Sequence, residues 1–165
     1  MGAKIADIAY FLPKSYDLKS ILGLRHFEKI YQKSGIKKIH ISSQKQSALE
    51  LAKRAGRILL KKNNPNIDCI IYVSQSPEYF LSSGSCILQD QLGISKNIMT
   101  FDVNQGCSGF VYGLCLGSTL IESGLVNNIL LVCSDTYSKY ISKKNLTCLP
   151  ILSHSPSLSN VILGE

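Results

Sequence analysis

The sequence predicts an α/β fold built on a mostly parallel five-stranded sheet with helices on both faces. Short apolar, β-branched runs recur at residues 5–12, 68–74, 98–103, 129–134 and 160–163. Stretches with apolar residues at helical spacing separate most of them. Glycine, asparagine and proline stand at the joints. Alternating strands and helices make a parallel sheet covered on both sides. A length of 165 residues suits one domain, residues 1–165, with a substantial core.

The elements follow in order. Residues 5–12 read as a strand that Pro13 stops. Residues 16–32 carry Leu18, Ile21, Leu22 and Phe27 and predict one or two short helices. Residues 33–38 are a turn with clustered charge. Ser43 or Ser47 caps a helix whose apolar positions are Leu51, Ala55, Ile58 and Leu59. The Asn63-Asn64-Pro65-Asn66 run ends it. Residues 68–74 are a fully buried parallel strand. Residues 83–92 are a helix stopped by Gly93, and residues 98–103 a third strand. A long helix covers 107–123 and stops at Gly124, before a fourth buried strand at 129–134. Residues 160–163 complete the sheet.

Composition narrows the function. No apolar run reaches the roughly 18–20 residues of a membrane span. The N-terminus lacks a signal-peptide layout, and Ala6 and Asp7 fit myristoylation poorly. The reading is a cytoplasmic protein with no membrane partner. None of the six cysteines forms a C-x-x-C pair, so no metal or redox centre is expected. Cys69, Cys86, Cys115, Cys133 and Cys148 read as structural thiols and Cys107 as the reactive one. A net charge of +7 gives a solvated basic face or attraction to an anionic partner, such as a nucleotide phosphate or an acidic carrier protein. No basic helix, aromatic ladder or zinc module points to nucleic acid.

The run Asp102-Val103-Asn104-Gln105-Gly106-Cys107-Ser108-Gly109-Phe110 carries the chemistry. It places a thiol at a strand-to-helix elbow, past the carboxyl end of a strand, where ligands of such sheets sit. Unpaired N–H groups and the positive end of a helix dipole favour a thiolate there. That thiolate can attack an activated carbonyl, and the same N–H groups can hold the oxyanion. Gly106 and Gly109 are assigned to the tight elbow. Asp102 is read as a strand end accepting backbone hydrogen bonds, not as a catalytic acid. Phe110 and Tyr112 are expected to pack on the sheet, and Cys115 to lie in the core. Lys33, Lys37 and Lys38 form a basic turn able to meet phosphates as point charges. His26, His40 and His154 read as surface or turn residues rather than bases.

These residues resemble the β-ketoacyl-acyl carrier protein synthase III family, which has the thiolase fold. Lys33-Ser34-Gly35-Ile36-Lys37 is similar to its basic turn, and Ser76-Pro77-Glu78-Tyr79 to its loop after the second strand. Residues 86–94 resemble the following helix, Asp102 to Gly113 the nucleophile elbow, and Ser134 to Lys139 the segment after the fourth strand. The resemblance covers the N-terminal half of a thiolase-like architecture; the family's C-terminal half is absent. It implies an acyltransferase of fatty acid or related biosynthesis. Cys107 would take an acyl group from acyl-CoA, and malonyl-acyl carrier protein would condense with it. Coenzyme A enters as a thioester substrate near Lys33 and Lys37, with no tightly bound cofactor. The family further implies a homodimer through the edge strand at residues 98–103, from Ile98 to Val103.

The sequence departs from the family pattern in three places. None of its histidines falls in the family's decarboxylation motif, which belongs to the second half. Lys29 stands about where a family tryptophan packs on adenine. Leu152 to Ser159 lacks the glycine turn before the fifth strand. The isolated chain is therefore expected to be acylated without condensing. Other readings are a non-catalytic scaffold or partner half, or another condensation of this fold, such as polyketide or hydroxymethylglutaryl-CoA synthesis. The latter pairs its cysteine with a glutamate on the loop that here holds Glu78.

Overall fold

A computed structural model describes residues 2–63, 65–139 and 159–164. Seven strands and five helices follow in chain order: β1 Lys4–Tyr10, β2 Ser15–Asp17, α1 Leu18–Leu22, α2 Leu24–Ser34, β3 Lys38–His40, α3 Ala48–Asn63, β4 Cys69–Val73, α4 Gly84–Leu92, β5 Met99–Val103, α5 Gly109–Glu122, β6 Ile129–Cys133 and β7 Ser159–Gly164. The main sheet has the order β1-β7-β6-β4-β5. β4 is parallel to both β5 and β6. β7 is antiparallel to β6 and to β1. The expected parallel sheet thus holds for the block β6-β4-β5, and β7 corrects it. The difference follows the connections. α4 and α5 supply the crossovers that parallel neighbours need, whereas antiparallel pairs need none.

Every residue of β4 and β6 is buried. Side chains alternate across a strand, so the sheet feeds two cores. Ile70, Tyr72, Leu130 and Val132 meet Leu49, Ala52 and Leu59 of α3 and Leu88 of α4. Cys69, Ile71, Val73, Leu131 and Cys133 meet Leu120 and Ile121 of α5. Burying each large aliphatic side chain contributes roughly 1.5–3 kcal/mol.

The helices start and stop where local chemistry dictates. Gly23, at φ +73°, separates α1 from α2. Of the two candidate caps for α3, Ser47 acts: its Oγ accepts the Glu50 N–H at 3.0 Å. Gly93 closes α4 in the left-handed region, and its N–H donates to the Asp90 and Gln89 carbonyls. The 107–123 helix begins instead with a single 3-10 turn, Gly106–Ser108, before α5. β2 and β3 pair antiparallel, and with α1 and α2 they enclose a small core around Leu18 and Ile39.

Several packing expectations change. Phe110 packs on the α5 core as expected, but Tyr112 is exposed. Cys115 and Cys86 are also exposed, whereas Cys69 and Cys133 are buried. α5 is apolar all round, so periodicity does not say which side meets the sheet. Gly109 and Gly113 decide it, because they form the side pressed on β4 and β6. A β-carbon on Gly109 would stand 2.5 Å from Val73 Cγ1, and one on Gly113 would stand 2.6 Å from Leu131 Cδ1. Gly109 is therefore required by close helix–sheet contact, and only Gly106, at φ +55°, by the turn itself. Cys148, His154 and residues 152–158 lie outside the described residues.

Candidate active site

The elbow leaves the carboxyl end of β5. Val73 of β4 is in register with Val103 of β5, and the Ser74 N–H donates to the Val103 carbonyl at 3.2 Å. The chain then turns through Gly106 into α5. Cys107 sits in the first turn with its thiol exposed. The first N–H groups of a helix have no preceding carbonyl within it to bond, which leaves them as donors for a ligand; in this turn the Gly109 N–H already donates to the Gly106 carbonyl. Ser108 Oγ donates to the Gln105 carbonyl at 2.8 Å and tightens the turn. The thiols of β4 and β6, Cys69 and Cys133, are buried. Burial pushes Cys69 up to about 11 and Cys133 up to about 12, which leaves them protonated and inert.

Two carboxylates fix the surroundings. Asp102 accepts the Gly84 N–H at 2.6 Å, the Ser85 N–H at 2.8 Å and the Ser83 hydroxyl at 2.8 Å. It thereby caps α4 from a neighbouring strand, in line with its reading as an acceptor of backbone bonds. Asp135 Oδ1 accepts the Gln75 N–H at 2.7 Å, the Ser76 N–H at 3.0 Å and the Ser76 hydroxyl at 2.8 Å. This joins the loop after β4 to the segment after β6. Ser76 Oγ in turn accepts the Thr136 N–H at 3.0 Å.

A cavity of about 380 Å³ adjoins the elbow, bordered by Tyr72, Ser74, Phe80, Ser83, Asp102 and Asn104. Beside it Phe80 and Leu81 are fully exposed. A second cavity of about 290 Å³ lies between α3 and α4, lined by Ser47, Glu50, Glu78 and Tyr79 among others. Burial pushes the Tyr72 phenol up to about 12, against the opposing influence of the Ser74 and Ser134 hydroxyls. Its oxygen makes no hydrogen bond among the described residues.

The family model of 3-oxoacyl-[acyl-carrier-protein (ACP)] synthase III matches residues 101–153, a span that includes the elbow. A provisionally named 3-oxoacyl-[acyl-carrier-protein] synthase 3 of Campylobacter jejuni is 33% identical over 94% of this chain and 46% of its own length. A β-ketoacyl-[acyl-carrier-protein] synthase III of Caldanaerobacter subterraneus is 32% identical over 90% of this chain and 47% of its own. A crystal structure of 3-oxoacyl-(acyl-carrier-protein) synthase III superposes with TM-score 0.87 at 33% identity, covering all of this chain and 50% of that one. The chain belongs to the 3-oxoacyl-[acyl-carrier-protein] synthase III family.

The chain spans about half the length of these synthase III relatives and corresponds to the N-terminal half. Its fold is thiolase-like, as the family neighbours are. Lys33 and Lys37 flank the end of α2. Lys33 is in the last turn of α2. Lys37 Nζ lies 5.5 Å over the Tyr31 ring, on which Phe27 stacks at 5.4 Å. Neither lysine lines the two cavities. His40 Nδ1 is 2.7 Å from the Pro13 carbonyl, and His26 lies exposed on α2. Glu78 lines the cavity between α3 and α4. The residue of its loop that reaches the elbow is Gln75, which sequence reasoning passed over. Its position just past a buried strand's carboxyl end was the available signal. No described helix is long and apolar enough to cross a membrane. No group of three or more His, Cys, Asp and Glu converges among the described residues.

Proposed function

We propose that this chain is the nucleophile-bearing half of a synthase III-type condensing acyltransferase, with Cys107 as the acyl acceptor. The observation that carries the reading is an exposed thiol in the first turn of the helix after β5, at the carboxyl edge of the parallel block. The thiolate attacks the carbonyl carbon of a short acyl-CoA. First-turn amides hold the tetrahedral oxyanion, the C–S bond to CoA breaks, and the CoA thiolate leaves and takes up a proton. The acyl group then passes to the carbanion that malonyl-carrier protein forms on losing carbon dioxide. The product is a β-ketoacyl thioester, and the Cys107 thiolate is regenerated.

Lys33 and Lys37 supply positive charge for CoA phosphates, and the overall excess of +7 suits an acidic carrier protein. Edge strand β5 is the proposed dimer seam, and the cytoplasm the proposed location. The chemistry calls for no resident metal or redox group.

Among the described residues no histidine lines the cavity beside the elbow, so acylation is assigned to this half and condensation to a more complete assembly. Mixing the chain with acetyl-CoA and malonyl-carrier protein tests the division. The expected result is no ketoacyl product, or only a trace. Robust turnover by the chain alone contradicts it.

The exposed Val111, Tyr112 and Cys115 on α5 favour a second reading, a partner half completed by another polypeptide. Inertness of Cys107 to iodoacetamide in the folded chain supports that reading over the first.

A further inference from the structure

We propose that Gln75 is a substrate-contacting residue of the Cys107 site, its side-chain amide hydrogen-bonding the acyl thioester; this rests on the acyltransferase reading above. β4 ends at Val73, and the chain continues beside the residues that lead into the elbow. Gln75 lies there half-buried, and a β-carbon on Gly106 would stand 4.0 Å from its Oε1. Gly106 immediately precedes Cys107 in the chain, so the carboxamide stands beside the turn that carries the thiol. The contact is held from a third element. Asp135 accepts the Gln75 N–H at 2.7 Å and both donors of Ser76, which fixes the backbone on which the amide is mounted.

The carboxamide itself makes no hydrogen bond with the described residues. A glutamine amide offers two donors and an acceptor. Covering those groups without a partner costs binding energy, so a ligand that closes over the elbow must pair with them. A thioester bound for attack by Cys107 brings a carbonyl oxygen that accepts from Nε2. Glutamine does not titrate, so its part is orientation of the acyl group, not proton transfer. The nearby carboxylate candidate, Glu78, lines the other cavity and leaves this place to a neutral group.

The test uses the full chain with Cys86, Cys115 and Cys148 changed to serine. Two rates are followed by intact mass: acetylation of Cys107 by acetyl-CoA, and its alkylation by iodoacetamide as pH is raised. Gln75→Ala is expected to slow acetylation about tenfold or more while alkylation stays within about twofold, because only the thioester uses the amide. Gln75→Glu is expected to raise the pH midpoint of alkylation by about half a unit or more, since a carboxylate facing a thiolate disfavours it. An unchanged acetylation rate in Gln75→Ala, an equal loss of both rates, or an unmoved midpoint in Gln75→Glu overturns this assignment and leaves the acyltransferase reading standing. Failure of the parent chain to be acetylated at all overturns both.

Discussion

Asp102 illustrates how single residues set this site. Its carboxylate collects two α4 backbone donors and the Ser83 hydroxyl, although Ser83 itself makes no capping bond to α4. Asp102→Ala should cost about 1–2 kcal/mol, the usual penalty for losing a helix N-cap. A lower denaturant midpoint with unchanged slope reads that loss; an unshifted midpoint argues against the cap. Buried titratable groups make a separate prediction on the alkaline side. Cys69, Cys133 and Tyr72 are all pushed up by burial, to about 11, 12 and 12. The unfolded chain releases these protons first, so it gains from rising pH while the folded chain does not. Stability should therefore fall from about pH 9, where an unfolded thiol ionises, up to about 12. Thermal midpoints across that window should drop less in Cys133→Ala than in the parent. At the acid end Glu50 works in the opposite sense. Hydrogen bonds from Lys53, then Arg54, lower it, so its contribution is present above the unfolded value and lost as pH falls. Partial exposure keeps that contribution small.

At the scale of elements, α5 decides where the nucleophile stands. Gly109 and Gly113 let it approach β4 and β6, so its axial position follows from two absent side chains. Gly113→Ala should destabilise by about 1–3 kcal/mol, because Leu131 and Val73 cannot both move aside in a packed core. Circular dichroism melting checks it, and a neutral substitution contradicts the close packing. The same elements show what a sequence reveals. β4 and β6 were legible as unbroken apolar runs, α4 and α5 from their glycine stops, and the elbow from its small residues around Cys107. Cys115 was misassigned because a helix apolar on all sides carries no facing signal. The β2–β3 pair was hidden because three-residue strands have too little periodicity. The antiparallel placement of β7 and the approach of Gln75 to Gly106 are long-range contacts, which local pattern does not encode.

The whole molecule leaves apolar surface uncovered. Val111 and Tyr112 on α5 and Ile5, Ile8 and Tyr10 on β1 are exposed, and among the described residues β5 is an edge of the main sheet. Such surfaces drive association. Sedimentation equilibrium of the 18.2 kDa chain should show weight-average mass rising with concentration. Val111→Lys together with Tyr112→Lys should reduce any part of that rise that α5 mediates, without lowering the melting midpoint. A concentration-independent monomer contradicts the prediction. The synthase III relatives are about twice as long as this chain.

The most direct measurement is peptide mass spectrometry of the folded chain after exposure to acetyl-CoA. The account predicts a single acetyl group on Cys107, removed by hydroxylamine and absent from Cys107→Ala. A folded chain that stays unmodified, or carries acetyl equally on Cys86 and Cys115, contradicts it.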